Sequence, residues 1–184
     1  MENLIKWIGI IIGMAIASFA FTGCDDDDKQ PTLTELDKLP PLTFTGENTF
    51  GCLIDSVAFT TSIVYSVYQN DFLLTIGGRI QSDLQNNTDM TVSMVTRSTV
   101  NSGDTFLLNV EGVEDGSSWG SYTTINDDTV CGRETNDVNT GRLAIEHIDK
   151  ENFIISGTFN FIACTQDCDT VRITDGRFDL RYTP

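Results

Sequence analysis

The sequence predicts an all-β domain, folded as a single antiparallel β-sandwich or open barrel of about nine strands. Short runs rich in Val, Ile, Thr, Phe and Tyr alternate with clusters of Gly, Asn and Asp, which is the pattern of strands and turns. No stretch combines an apolar period of about 3.6 residues with caps at both ends, as a helix would. The predicted strands lie near residues 50–54, 57–68, 72–80, 90–98, 105–110, 119–125, 141–148, 152–163 and 169–182.

Residues 1–23 are predicted to be a signal peptide rather than part of the fold. Lys6 gives a short positive start, and the apolar run 7–21 is shorter than the about 20 residues that a spanning helix needs. The run ends in Phe21-Thr22-Gly23-Cys24, which resembles the lipobox of lipoproteins, although Phe21 stands where Leu is commoner. We expect cleavage before Cys24 and lipidation of its thiol. The alternative is an ordinary secretory signal with an unrelated cysteine.

Residues 24–41 are predicted to form a tether, and residues 42–184 the all-β domain. Four carboxylates follow the cysteine directly: Asp25, Asp26, Asp27 and Asp28. Such a run is a solvated, self-repelling spacer. It also resembles the surface-export signal of Bacteroidota lipoproteins, which implies an outer-membrane lipoprotein facing the cell surface, with the periplasmic face as the alternative. Together with Lys29 the run matches an enteropeptidase tag, but its place behind a lipobox favours native sequence.

The charge balance argues against nucleic acid as a partner. The chain holds 27 acidic and 11 basic residues, for a net charge of −16. Loss of Glu2 and Lys6 with the signal peptide leaves that net charge unchanged. Affinity for phosphate backbones and anionic lipid surfaces rests on Lys and Arg, so the expected membrane contact is the lipid anchor alone.

Apolar alternation in the last two predicted strands favours a long hairpin with a bulge. The apolar phase of the final strand flips near Asp175-Gly176, and one extra residue there would absorb the flip. A tight Asp175-Gly176 turn is the alternative. The bulged hairpin places Gly157 opposite Gly176 and predicts these facing pairs: Phe161 with Val171, Phe159 with Ile173, Ile155 with Phe178, and Phe153 with Leu180.

Four cysteines beyond Cys24 predict two disulfides in an exported protein. The hairpin register places Cys164 opposite Cys168, so we expect the pairs Cys164–Cys168 and Cys52–Cys131. A zinc site is the alternative, but the thiols lack paired C-x-x-C spacing.

The sequence contains no convincing catalytic constellation. His147 is the only histidine, shares strand parity with Leu143 and Ile145, and is predicted to border the core. No Gly-x-Ser-x-Gly elbow accompanies it. A glycoside hydrolase would need two facing carboxylates. Structural calcium would take oxygen ligands from acidic loops. The loop acids considered for these two alternatives are Asp127-Asp128, Glu114-Asp115, and Asp167 with Asp169.

Two further groups of residues suggest surface functions. Trp119, Tyr122 and Tyr65 could form an aromatic face that stacks on sugars, although single aromatics on strands usually pack in a core. Ser56, Thr129 and Thr170 each stand between an Asp and a Val. These tripeptides resemble the short O-glycosylation motif of Bacteroidota exported proteins.

Two blocks of the sequence resemble one family. The opening is Leu39-Pro40-Pro41 followed by Thr45-Gly46-Glu47-Asn48-Thr49-Phe50-Gly51-Cys52, and the ending contains Ile155-Ser156-Gly157-Thr158-Phe159-Asn160-Phe161 and Ile173-Thr174-Asp175-Gly176-Arg177-Phe178-Asp179. Both blocks resemble small Bacteroidota lipoproteins with a domain of unknown function. In that family a Gly often follows the position of Asp55 in a tight turn, and Ser56 stands there in this chain. The resemblance implies location and fold, not mechanism.

These observations predict a non-enzymatic binding module whose partner is a glycan or another envelope protein. No cofactor is expected, with structural calcium left open, and a carboxylate-based glycoside hydrolase is the enzymatic alternative.

Overall fold

The fold was analysed in a computed structural model that describes residues 32–82, 87–126 and 129–184. The predicted signal peptide, Cys24 and Asp25–Asp28 lie outside the described residues. Within those residues, no helix is long and apolar enough to span a membrane. Residues Leu33–Pro184 form one compact unit.

The described residues form eleven strands after a single 3-10 turn, η1, at Leu36–Lys38. The strands are β1 Thr49–Ile54, β2 Val57–Thr61, β3 Ile63–Gln69, β4 Leu73–Ile80, β5 Thr88–Arg97, β6 Thr105–Leu108, β7 Ser118–Asn126, β8 Thr129–Glu134, β9 Gly141–Asp149, β10 Ile154–Thr165 and β11 Cys168–Arg181.

One antiparallel sheet curls into a nearly closed barrel, which confirms the predicted fold class. The strand order is β2-β1-β11-β10-β8-β7-β5-β4-β3, while β9 pairs with β10 and β6 with β9. The free edge of β3 meets the chain just after β11. There the Tyr68 N–H donates to the Thr183 carbonyl at 2.8 Å, and the Thr183 N–H donates to the Ser66 carbonyl at 2.9 Å.

The strand prediction differs from the structure at two places. The predicted strand 57–68 is two strands, because the chain bends at Ser62. There the Thr61 hydroxyl donates to the Arg79 carbonyl at 2.5 Å and accepts from the Ile63 N–H at 2.9 Å. Strand β8 was missed, because Val130 is 66% exposed and no apolar face alternates along its residues.

The long hairpin of β10 and β11 contains the predicted bulge, but its register is displaced by two residues. Phe161 faces Ile173 rather than Val171, and Ile155 faces Leu180 rather than Phe178. Asp175 is the extra residue, with φ +53°, and Gly176 lies against the ring of Phe159. A slip of two residues keeps the apolar side chains on their predicted faces, so the apolar pattern could not distinguish the two registers. A second register shift, between Ala163 and Thr165, moves Cys168 off its predicted face.

The folded unit begins before the predicted boundary at residue 42. Residues 33–48, which we call the strap, lie against β1, β2 and β11. A Glu35 carboxylate oxygen accepts from the Ala58 N–H at 2.9 Å. Leu39 is 7% exposed, and Pro40 packs on Gly51. The second half of the predicted tether is therefore part of the domain.

Aromatic and aliphatic side chains from many of the strands fill the interior of the barrel. Phe50 packs against Phe59 and Phe159, with ring centroids 6.3 and 5.2 Å away. Tyr68 packs edge-on against Tyr182 at the β3 edge, at 5.8 Å. The contact between Tyr68 and Tyr182 joins β3, the last strand of the order, to the chain just after β11.

Candidate functional site

A buried carboxylate joins the strap to the barrel. Asp179 of β11 is 0% exposed, and its oxygens accept five hydrogen bonds. The donors are the hydroxyls of Thr43 and Ser156, both at 2.6 Å, and the backbone N–H groups of Thr45 at 3.0 Å, Gly46 at 2.8 Å and Glu47 at 3.2 Å.

The donors around Asp179 determine its protonation. Burial alone would raise the pKa of this carboxyl, but the hydrogen bonds, led by those from Ser156 and Thr43, outweigh it and lower the pKa to about 2. The carboxylate is therefore a permanent acceptor at neutral pH. The two blocks that carry the family resemblance meet here, so we assign their motif residues a structural role.

Local backbone conformation shapes the strap around this carboxylate. Gly46 has φ +74°, a conformation that favours glycine, and a side chain there would crowd Arg181 and Ile154. Asn48, with φ +57°, accepts from the Arg181 N–H at 3.0 Å.

His147 does not border the core, which corrects the prediction from strand parity. Glu146 is an extra residue in β9, because Ile145 faces Gly157 while His147 faces Ser156. The bulge turns Ile148 towards the core in its place. The His147 ring instead meets Phe44 of the strap edge-on, with centroids 6.1 Å apart.

Both predicted disulfide pairings are wrong. The bond joins Cys131 to Cys168, whose Cα atoms are 6.3 Å apart, and leaves Cys52 and Cys164 as thiols. Cys168 faces Thr165 across the hairpin. Its side chain therefore lies on the opposite face of the sheet from that of Cys164. Cys52 is fully buried beside Phe59, and this burial raises the pKa of its thiol to about 12.

Cys164 lies on the outer surface beside a pair of carboxyls that the sequence did not reveal. Its sulfur accepts from the side-chain amides of Asn136 and Asn139, both at 3.1 Å, and it faces Glu134 of β8. Burial and a hydrogen bond with Glu111 raise the pKa of Glu134 to about 7. This pair does not suit glycoside hydrolysis, because two hydrogen-bonded carboxyls are closer than the about 5–9.5 Å that separates the catalytic carboxyls of such enzymes.

Two of the three aromatics considered for a sugar-stacking face share one face of the sheet. Tyr122 is 6% exposed and packs in the core, so it is not part of a surface site. Tyr65 and Trp119 lie on the outer face of β3, β4, β5 and β7. We call this surface the aromatic face; its residues are Tyr65, Val67, Thr75, Gly77, Thr91, Ser93, Val95, Trp119, Ser121 and Thr123.

The Tyr65 ring lies over Gly77 of the neighbouring strand. A Cβ at Gly77 would overlap the phenol ring, so glycine is required for this position of the ring. Burial raises the pKa of the Tyr65 hydroxyl, and the Ser93 and Ser121 hydroxyls are 2.7 Å apart. Tyr65 is 37% exposed and Trp119 is partly buried.

The aromatic face carries no charged residue, although the chain has a net charge of −16. Charged residues of the same outer side stand at its margins. Arg79 pairs with Asp89, and the Arg97 Nε–H donates to the Gly112 carbonyl at 2.9 Å. Glu134 of β8 faces Ser121. The centre of the face is therefore uncharged, with hydroxyls and two large rings.

The three candidate glycosylation residues are exposed and lie at one end of the barrel. Ser56 occupies the β1–β2 turn, Thr129 begins β8 and Thr170 lies near the start of β11. The Arg172 N–H donates to Asp55 at 2.9 Å, which joins the first turn to β11. Asp55 and Ser56 have φ +47° and +71°, so the tight turn forms with Ser56 rather than a glycine.

The loop acids proposed for chemistry remain dispersed. Glu114 and Asp115 lie exposed between β6 and β7, and Asp167 and Asp169 line an open depression of about 400 Å³ beside Cys168. Asp127 and Asp128 lie outside the described residues. In the part of the chain that is described, no three His, Cys, Asp or Glu side chains are grouped to hold a metal ion.

Comparison of the chain with protein-family models, curated proteins and solved structures finds no match.

Proposed function

We propose that the chain is an exported lipoprotein whose barrel is a non-catalytic binding module held at the outer membrane. The observation that carries the binding role is the aromatic face, an exposed and uncharged surface on a strongly acidic protein. Exposed aromatic rings on a rigid scaffold are typical of recognition surfaces. The expected partner is a glycan or another envelope protein.

The anchor part of the proposal rests on the N-terminal sequence. The lipobox-like Phe21-Thr22-Gly23-Cys24 and the following Asp25–Asp28 support lipidation and display at the cell surface. Because the folded unit begins at Leu33, only residues 25–32 separate it from Cys24. Fully extended, such a segment reaches about 28 Å, so the barrel would stay close to the bilayer.

Acylation and membrane release test the anchor. Mass spectrometry of the protein should find acyl chains on Cys24, and Cys24→Ala should move the protein from the membrane fraction to the soluble fraction. Protease added to intact cells should then cleave the wild-type domain if it faces outwards. An unacylated, freely secreted product would overturn the anchor.

We also propose O-glycosylation at Ser56, Thr129 and Thr170, supported by their Asp-hydroxyl-Val context and exposure. Peptides containing each residue should carry a glycan mass in protein from the native host. Unmodified peptides at all three positions would overturn this assignment and leave the anchor untouched.

A further inference from the structure

We propose that the aromatic face binds an uncharged polysaccharide chain. This inference rests on the proposed binding function and names its ligand class and site. The ligand would lie across β3, β4, β5 and β7, in contact with both Tyr65 and Trp119.

The two rings supply stacking surfaces. The Tyr65 ring lies over Gly77 and the residue is 37% exposed, and Trp119 lies on the same face, opposite Val95. Four adjacent strands at about 4.8 Å spacing make a platform about 14 Å wide. An extended chain of sugar rings could lie across this platform, because the C–H faces of sugars can pack on aromatic side chains.

Short hydroxyl side chains surround the rings and match the hydroxyls of a sugar. Ser93 and Ser121 already share a hydrogen bond at 2.7 Å across β5 and β7, and Thr91 and Thr123 are the next facing pair. Each hydroxyl both donates and accepts, so it can pair with a sugar hydroxyl of either orientation.

The charge of the protein favours a neutral ligand. The chain has a net charge of −16, so the molecule as a whole would repel an acidic polysaccharide. The centre of the aromatic face offers neither Lys nor Arg to compensate. At its margins the Arg79 guanidinium pairs with Asp89, and the Arg97 Nε–H donates to the Gly112 carbonyl. An uncharged chain meets an uncharged surface without desolvating an ion.

Affinity electrophoresis of the full chain in detergent tests the proposal. The gels would contain soluble neutral β-glucan, mannan, xylan or galactan, with alginate as the acidic comparison. We expect retardation by at least one neutral polysaccharide and none by alginate. Tyr65→Ala and Trp119→Ala should each weaken binding tenfold or more, while Tyr65→Phe should keep it.

A matched control and an independent readout separate binding from folding. Phe44→Ala removes another exposed ring, from the strap, and should bind as the wild type does. In the chain cleaved before Cys24, Trp119 is the only tryptophan, so its emission should shift on titration with the bound polysaccharide. Thr91→Lys, which keeps both rings, should also abolish binding by adding a charge.

The negative outcomes are distinct. Retention by none of the four neutral polysaccharides, or binding that survives the Tyr65→Ala/Trp119→Ala double variant, overturns the inference. Capture of a protein partner or of alginate also overturns it, while the broader binding function stands. Loss of acylation at Cys24 would defeat the anchor without affecting polysaccharide retention.

Discussion

Asp179 brings a negative charge beneath the strap, and five donors compensate for its removal from water. Three of these donors are consecutive backbone N–H groups of the strap, from Thr45 to Glu47. The carboxylate therefore fixes a backbone path, much as a bound anion would. Substitution of Asp179 should therefore destabilise the fold, because each of the five donors loses its acceptor when the carboxylate is lost.

Asp179→Asn should destabilise the domain by at least about 3 kcal/mol at pH 7, because the amide nitrogen would face N–H donors in a buried site. Urea unfolding monitored by circular dichroism measures the change. Asp137→Asn, at an exposed loop carboxylate, is the matched control and should remain within about 0.5 kcal/mol of the wild type. Equal losses in both variants would contradict the role of Asp179.

Acid should weaken the same network. The folded-state pKa of Asp179 is about 2 and its ordinary value is 3.8, so the carboxylate stabilises the fold above about pH 4. Linkage gives about 2.5 kcal/mol, lost as pH falls from about 4 to 2. Unfolding free energies measured from pH 5 to pH 2 should show this loss in the wild type. A pH slope of the same size in Asp179→Asn would contradict the assignment.

Glu134 has the opposite pH dependence. Its folded-state pKa is about 7, above the ordinary 4.5, so the folded protein holds an extra proton between these values. Stability from this group should therefore fall as pH rises from about 4.5 through 7. The melting temperature should be higher at pH 6 than at pH 8 in the wild type, and Glu134→Gln should reduce that difference. An unchanged difference in the variant would exclude Glu134 as its source.

Among the elements, the β10–β11 hairpin shows what the sequence could predict and what it could not. The phase flip at Asp175-Gly176 correctly indicated a bulge, because side-chain parity is a local property. Apolar parity does not determine the register, which depends on the length of the hairpin connection and on a second register shift between Ala163 and Thr165. Cys168 faces Thr165, so Gln166 and Asp167 alone connect the strands. Short two-residue connections are the commonest in hairpins, and they match the strand twist.

The same difference between local pattern and long-range pairing explains which parts of the candidate site the sequence could predict. The sequence raised a surface aromatic face only as an alternative to core packing, and only the strand order shows that Tyr65 and Trp119 share a face, with Tyr122 on the other side. The Asp179 network joins residues more than 130 positions apart, and no spacing rule predicts it. A one-residue bulge at Glu146 likewise reversed the expected side of His147.

The disulfide can be checked by its connectivity. Non-reducing digestion should yield a peptide that links Cys131 to Cys168. In the folded protein an alkylating reagent should modify Cys164, and Cys52 should react only after unfolding. A bond from Cys164 to Cys168 would contradict the register of the hairpin.

The bond should also stabilise the barrel. It closes a loop with a sequence separation of 37, for which chain entropy gives about 4 kcal/mol. Cys131→Ser should lose stability approaching this amount in urea unfolding. Cys164→Ser is the matched control and should lose little, because a hydroxyl can also accept from Asn136 and Asn139. Equal stability of Cys131→Ser and the wild type would show that the bond is not formed.

For the whole molecule, barrel closure depends on segments at both ends of the domain. At the C-terminal end, Thr183 pairs with β3. At the other end the strap crosses β1 and fills positions that the sheet leaves open: Leu39 covers apolar surface, and Glu35 satisfies an N–H on the edge strand β2. Capping of an edge strand in this way limits pairing with other chains.

The strap therefore predicts where the domain can be shortened. A chain beginning at Leu33 should melt at the temperature of the full chain, because the compact unit starts there. A chain beginning at Leu42 keeps Thr43 for Asp179 but loses the burial of Leu39 and the Glu35–Ala58 hydrogen bond. Burial of a leucine contributes about 1.5–3 kcal/mol and the hydrogen bond about 1 kcal/mol, so the expected loss is about 3 kcal/mol.

Calorimetry of both shortened chains measures this loss, which corresponds to a fall in melting temperature of roughly 6–12 °C. Leu39→Ala in the chain beginning at Leu33 separates side-chain burial from chain length and should account for most of the fall. If the chains beginning at Leu33 and Leu42 melted together, the strap would be a tether that lies on the barrel without stabilising it. Polysaccharide binding should survive in the chain beginning at Leu33, because the aromatic face lies on β3, β4, β5 and β7, away from the strap's contacts with β1, β2 and β11.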